Sequence, residues 1–297
     1  MTVLAQAPAP AELVEQLTAR LEIALDAHLS RAQEWFPHEY VPWGEATDFA
    51  ELSWEESQSR LDPAVRAAVQ LNLLTEDNLP GYHGELSRLL GRGEAWKTWL
   101  DRWTAEEGRH AIVLRDYLTV TRAVDPVLLE RDRMATVSSG YSAGDRDGLR
   151  VIAYVSFQEL ATRVSHRGTG RLSGDAGLDK LLARISTDEN LHMVLYRDLM
   201  SEALVVSPEL ALRAITDEVA GFQMPGTGIP GFVRRAAIVA RAGIYDLRVH
   251  RDEVVAPLLR HWRVFELDGA NGVAAEQQRL TTVLAEIDRR VERQTRR

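Results

Sequence analysis

Leucines at 13, 17, 21 and 25 recur every four residues, and this period predicts a helix beginning near Ala11. An aromatic stretch, Trp35-Phe36-Pro37-His38-Glu39-Tyr40-Val41-Pro42-Trp43, then interrupts the pattern. Its two prolines remove backbone donors, so it reads as a packed loop. Asp62-Pro63 is an N-cap followed by proline in the first turn. The helix it starts runs to about residue 90, with Val65, Val69, Leu73 and Glu76 on one face. Gly91-Arg92-Gly93 is a break, after which a second long helix covers about 94–121. Asp125-Pro126 caps a shorter helix ending near Gly140. Further helices are expected over about 150–166 and 178–205, separated by a loop from Gly168-Thr169-Gly170 through Gly177. From Pro208 onward the pattern gives shorter helices, broken by Met224-Pro225-Gly226-Thr227-Gly228-Ile229-Pro230. No segment alternates with the period of a strand, and the expected class is all-α. Residues 1–10, ending Pro8-Ala9-Pro10, read as a disordered tail, and 11–297 as a single helical domain.

Charged residues fall inside these apolar faces in a repeated pattern. Glu76 is followed 31 residues later by Glu107-Gly108-Arg109-His110, and Glu159 is followed 30 residues later by Glu189-Asn190-Leu191-His192. Each half therefore holds a lone Glu and then a Glu-x-x-His, the ligand set of a di-iron or di-manganese site in a four-helix bundle. A separation of about 30 residues across a helical hairpin leaves both ends roughly 20 Å from the turn, side by side. The i, i+3 spacing puts each Glu and His on one helix face. A single Glu-x-x-His is a weak signal in a Glu-rich chain; two, each preceded by a Glu at matching distance, are a stronger one. The neighbours Leu73, Leu79, Phe157 and Leu160 are apolar, and a carboxylate buried among them must be neutralised or coordinate a cation. Pro80, inside the first of these helices, marks a kink. Asp188 can accept the outer ring N–H of a ligand histidine, or be an exposed helix charge. Thr162, one turn after Glu159, can present its hydroxyl to the pocket or bond back to the carbonyl of Gln158. Trp103, one turn before Glu107, and Trp35 can pack on the ligands or simply fill core.

Composition narrows the chemistry. None of the 297 residues is cysteine, which excludes disulfides, thiolate nucleophiles and Cys-bound zinc or iron–sulfur clusters. A net charge of −9 argues against nucleic acid as a partner. Arginines at 234, 235, 241, 248, 251, 260 and 263 leave room for a local basic patch or a solvated helix face. The start lacks the features of a secretory or transit peptide and no run is apolar enough to span a membrane, so a cytoplasmic protein is expected.

Several stretches go beyond the ligand pattern. These are Leu-Leu-Thr-Glu-Asp-Asn-Leu-Pro-Gly-Tyr-His (73–83), Arg-Trp-Thr-Ala-Glu-Glu-Gly-Arg-His (102–110), Ser-Phe-Gln-Glu-Leu-Ala-Thr-Arg-Val-Ser-His-Arg-Gly-Thr-Gly (156–170), Ile-Ser-Thr-Asp-Glu-Asn-Leu-His (185–192) and the aromatic loop at 35–43. Together they resemble the soluble acyl-ACP (acyl carrier protein) desaturases of plant plastids and, more closely, of mycobacteria and related actinobacteria, over about residues 12–265. The resemblance implies a ferritin-like di-iron four-helix bundle with additional helices. It implies two Fe2+ ions per chain, with manganese as a substitute, held by Glu76, Glu107, His110, Glu159, Glu189 and His192. Thr162 matches a threonine proposed to assist oxygen activation, and Asp188 with Trp35 a path for electrons to the irons. The implied reaction is O2-dependent insertion of a cis double bond into a saturated acyl chain on acyl carrier protein. Ferredoxin or a similar reductant would supply electrons to a homodimer. The alternatives are a di-iron hydroxylase on another carrier-bound substrate and a ferritin-like ferroxidase. A ribonucleotide reductase radical subunit would carry tyrosine where this chain has Leu114. Two departures from the family bear on substrate identity: Gly108 replaces the usual asparagine, and the Gly140–Val151 segment is shorter than in the mycobacterial relatives.

Overall fold

Four aspartates start four of the helices. The side chain of Asp62 accepts from the Ala64 amide, Asp125 from Val127 and Leu128, Asp147 from Arg150, and Asp175 from Leu178. Each satisfies an amide that the first helical turn would otherwise leave unpaired. The computed structural model describes residues 9–295 apart from 92, 227 and 269–270. In chain order the helices are α1 (Pro10–Gln16), α2 (Thr18–Arg31), α3 (Pro63–Glu76), α4 (Leu79–Leu90), α5 (Glu94–Val120), α6 (Pro126–Ser139), α7 (Gly148–Leu172), α8 (Ala176–Val206), α9 (Pro208–Gly221) and α10 (Phe232–Arg241). A short α11 (Leu247–Val249) passes through a π-helical stretch, His250–Val255, into α12 (Ala256–His261), and α13 (Asn271–Thr295) follows. Among the described residues there is no strand, and no helix is long and apolar enough to cross a membrane.

Two expectations are corrected. The helix expected over 62–90 is two helices, α3 and α4, with Asp77 and Asn78 between them. Pro80 is the reason: a continuous helix needs an N–H at residue 80 to bond the Glu76 carbonyl, and proline has none. The break leaves Glu76 as the last residue of α3. The helix expected over 150–166 continues to Leu172, through the glycines read as a loop. Those glycines serve close packing instead. A Cβ on Gly168 would lie 2.8 Å from the Ile244 carbonyl oxygen, and one on Gly170 would lie 2.6 Å from Asp179 Oδ1. The expected tail at 1–10 lies outside the described residues up to residue 8, and Pro10 already opens α1.

α7 and α8, joined by a three-residue turn, form the most extensively packed pair; α3 packs on both α5 and α7, and α5 also touches α8. These four helices close a ring. One large core cluster joins α1, α2, α5, α7, α8 and α9, and a second, around Val65, Leu73, Val113, Leu114 and Ile185, fills the α3–α5–α8 side. The candidate ligand residues lie in the ring formed by these helices.

Candidate metal centre

Glu76 (α3), Glu107 and His110 (α5), Glu159 (α7), and Glu189 and His192 (α8) meet in the middle of this ring, all of them buried. They fall into two overlapping groups of four. One is Glu76, Glu107, His110 and Glu189; the other is Glu107, Glu159, Glu189 and His192. Glu107 and Glu189 belong to both groups. Both histidines aim Nδ1 inward. His110 Nδ1 lies 3.4 Å from Glu107, 3.5 Å from Glu189 and 3.7 Å from Glu76, while His192 Nδ1 lies 2.7 Å from Glu107 and 3.5 Å from Glu159.

Whether these residues fit a metal pair is tested by their hydrogen bonding. Six buried atoms of the set make no hydrogen bond of good geometry, although two of them face each other at 2.7 Å: Glu107 Oε1 and His192 Nδ1, with His110 Nδ1, Glu159 Oε2 and both Glu189 carboxylate oxygens. Each such atom costs about 1–3 kcal/mol if left unpaired, and convergent bare donors are the preparation a cation requires. Four carboxylates also balance the charge of two divalent ions. The charged groups of the cluster act strongly on one another. Burial, then the negative charges of Glu107, Glu159 and Glu76, push Glu189 well above the usual carboxylate range. Burial alone would lower both histidines, but the surrounding carboxylates outweigh it and raise them.

The outer atoms are held with equal care. His110 Nε2 is 3.4 Å from Asp188 Oδ2, which also accepts from Trp35 Nε1 at 2.8 Å and Arg109 at 3.2 Å; Arg184 pairs with the other oxygen. His192 Nε2 is 3.0 Å from Glu106 Oε2, which also lies 2.9 Å from His28 Nε2, and Arg102 donates to Glu106 Oε1 at 2.6 Å. Trp103 Nε1 donates to Glu159 Oε1 at 3.2 Å. His166 Nε2 is 3.3 Å from Glu76 Oε1, its Nδ1 facing the Asn72 amide nitrogen at 3.1 Å. Such contacts fix ring orientation and tautomer at metal sites. Thr162 takes the local course: its hydroxyl donates to the Gln158 carbonyl at 3.0 Å and accepts from the Gln158 side-chain amide at 3.1 Å. A cavity abuts the centre, reached by Glu76, Glu107 and Gln158 and walled by Leu79, Leu86, Trp103, Val151 and Val155. Its lining is mostly apolar, with Glu76, Glu85, Glu107 and Gln158 among the polar groups.

The chain matches the sequence profile of the fatty acid desaturase family over residues 9–297. The chain belongs to the fatty acid desaturase family. Within that family it is 43% identical over 289 residues to DesA1 of Mycobacterium tuberculosis, named as an acyl-ACP desaturase, covering 93% of this chain and 86% of the relative. It is 31% identical over 277 residues to the chloroplastic stearoyl-ACP 9-desaturase 6 of Arabidopsis thaliana, covering 87% and 70%. The crystal structure of the DesA2 acyl-ACP desaturase from Mycobacterium tuberculosis superposes with a TM-score of 0.72 at 29% identity, covering 89% of this chain and 99% of that one. The fold of this desaturase is therefore the ferritin-like helical one.

Sequence reasoning brought forward Trp35, Trp103 and Asp188, and the structure places all three against the centre. It missed Glu106, His28, His166 and Gln158. A signal existed for Glu106: the repeat extends one residue, since Glu106 precedes Glu107 as Asp188 precedes Glu189. His166 lies two turns beyond Glu159 on the same face of α7. His28 carries no spacing signature, because its contact depends on how α2 docks.

Proposed function

We propose that this chain is an O2-dependent acyl-ACP desaturase working on two Fe2+ ions, with manganese able to substitute. The observation that carries the proposal is the set of buried oxygen and nitrogen atoms, without hydrogen bonds of good geometry, converging beside a mostly apolar slot. Glu76, Glu107, His110 and Glu189 would hold one ion, and Glu107, Glu159, Glu189 and His192 the other; carboxylate-rich hard ligation suits iron and manganese. When bound, the iron pair supplies O2 reduction and an oxidant strong enough to take hydrogen from an unactivated C–H bond, which no side chain can do. Four electrons reduce O2 to two waters: two come from the vicinal C–H bonds, whose loss leaves the alkene, and two from an external donor.

The protein's part is placement and protection. The slot takes a saturated chain and excludes water, and Glu76 and Glu107 on its wall set which carbons stand beside the centre. Trp103 forms part of that wall and holds Glu159. Gln158 lines the slot and Thr162 behind it accepts from its amide. Trp35, Asp188 and His110 give donor electrons a contiguous route inward. The substrate arrives on acyl carrier protein, the electrons come from ferredoxin or a similar reductant, and the working form is a cytoplasmic homodimer. The test is mass spectrometry of products from a panel of saturated acyl-ACPs, with ferredoxin, its reductase and O2, on protein whose iron has been counted. About two irons per chain and a cis alkene are expected. Hydroxylated product alone would replace the proposal with an oxygenase, and iron oxidation with no acyl product with a ferroxidase.

A further inference from the structure

The two imidazoles at the centre are held by different outer assemblies. Asp188, behind His110, is fixed by the Trp35 indole and two arginines. Glu106, behind His192, is fixed by Arg102 and by His28, a residue of α2, which contributes none of the six ligands. His28 is 4% exposed and Glu106 4%, so neither contact is a surface accident. The His28 ring stands edge-on to Trp99 at 5.0 Å and stacks on His192 at 5.7 Å, and its Nδ1 has no hydrogen-bond partner. With a carboxylate 2.9 Å from Nε2 and nothing at Nδ1, the ring proton belongs on Nε2 and is donated to Glu106 Oε2. That oxygen then accepts two imidazole N–H groups, one from His28 and one from His192. The donation from His192 Nε2 fixes the tilt of its ring and aims Nδ1 at Glu107 and Glu159, 2.7 and 3.5 Å away.

We propose that His28 is a positioning residue for one of the two metal positions, the one bounded by His192 and Glu159. It acts through Glu106 and leaves the His110 position to Asp188. The inference rests on the reading of the six residues as ligands to two ions. Losing the outer partner of a ligand histidine typically weakens metal binding by about 10–100-fold; His28 stands one contact further out and Arg102 still holds Glu106, so its loss should sit at the low end, about tenfold, on one ion of two.

The experiment is anaerobic Co2+ titration of the full chain, followed by calorimetry and by the visible bands of bound Co2+. His28→Phe keeps the ring packing on Trp99 and His192 but removes the N–H; His28→Gln restores a donor near the position of Nε2. In the wild type two ions are expected. In His28→Phe one ion should bind unchanged and the other about tenfold more weakly, with recovery in His28→Gln. Placed in a His110→Ala background, His28→Phe should weaken the remaining ion; in a His192→Ala background it should not. Equal weakening of both ions, no weakening of either, or the opposite background dependence would overturn the proposal. A folded wild type that binds no ion would instead overturn the metal centre itself, and this inference with it.

Discussion

Replacing Gly108 with alanine should stabilise the protein without disturbing the centre one residue away. Gly108 sits in the interior of α5, between Glu107 and Arg109. Its φ lies outside the left-handed region, so the backbone does not require glycine. An added Cβ would meet only the Leu79 side chain, 3.9 Å away, which is ordinary van der Waals contact. The substitution therefore carries no steric cost and removes the entropy that a helix-interior glycine loses, about 0.5–1 kcal/mol. In a protein of this size that corresponds to a rise in Tm of roughly 1 °C. Thermal unfolding of metal-free and metal-loaded protein, with metal content measured on both, gives the comparison. The rise should appear in both states with unchanged loading, because Glu107 and His110 keep their faces. A fall in Tm would mean that Leu79 cannot accept the methyl, and that the glycine makes room after all. A loss of metal would mean that α5 must flex at this point for Glu107 to reach both ions.

Two other consequences are independent of that helix. His250 is buried against Phe222, with Tyr245 at its Nδ1, and burial pushes its pKa down to about 4 from an ordinary 6.5. A depressed histidine contributes full stability above the unfolded value and loses it as pH falls from 6.5 toward 4. At pH 5 the loss is about 2 kcal/mol. The unfolding free energy of His250→Leu, measured in urea, should therefore approach that of the wild type by about this amount between pH 8 and pH 5; parallel curves would refute the burial argument. Thr162→Val removes the acceptor of the Gln158 amide at the edge of the slot. One hydrogen bond of about 1 kcal/mol corresponds to about a fivefold fall in turnover, with metal content unchanged; an unaltered rate on acyl-ACP would reduce Thr162 to a packing residue.

The parts of this molecule that could be read in its sequence are those that depend on helical period. Glu76, Glu107, His110, Glu159, Glu189 and His192 converge because their spacings are properties of a helix and a hairpin, and the structure brings the six together. Pro80 marked an irregularity, but period alone could not distinguish a kink from the full break that ends α3 at Glu76. Gly168 and Gly170 misled because glycine serves both loops and close helix contacts, and only the neighbours Ile244 and Asp179 decide between them. His28 and Glu106 are 78 residues apart, and their contact follows from the docking of α2, which no local pattern records.

That docking explains why the doubled ligand pattern is not by itself a complete centre. The acid preceding each Glu-x-x-His serves the histidine of the opposite helix: Glu106 on α5 meets His192 on α8, and Asp188 on α8 meets His110 on α5. Each helix therefore supplies candidate ligands to the interior and a carboxylate to the histidine of its partner. Sliding one helix by a single residue, about 1.5 Å, would part both pairs at once, so the arrangement fixes axial register as well as ring orientation. Neither acid is held by the ligand helices alone. Both are completed by one N-terminal stretch, Glu106 by His28 on α2 and Asp188 by Trp35 in the loop that follows. These two residues are seven apart and approach the centre from outside the ring, one behind each imidazole. The segment acts as a clamp across α5 and α8.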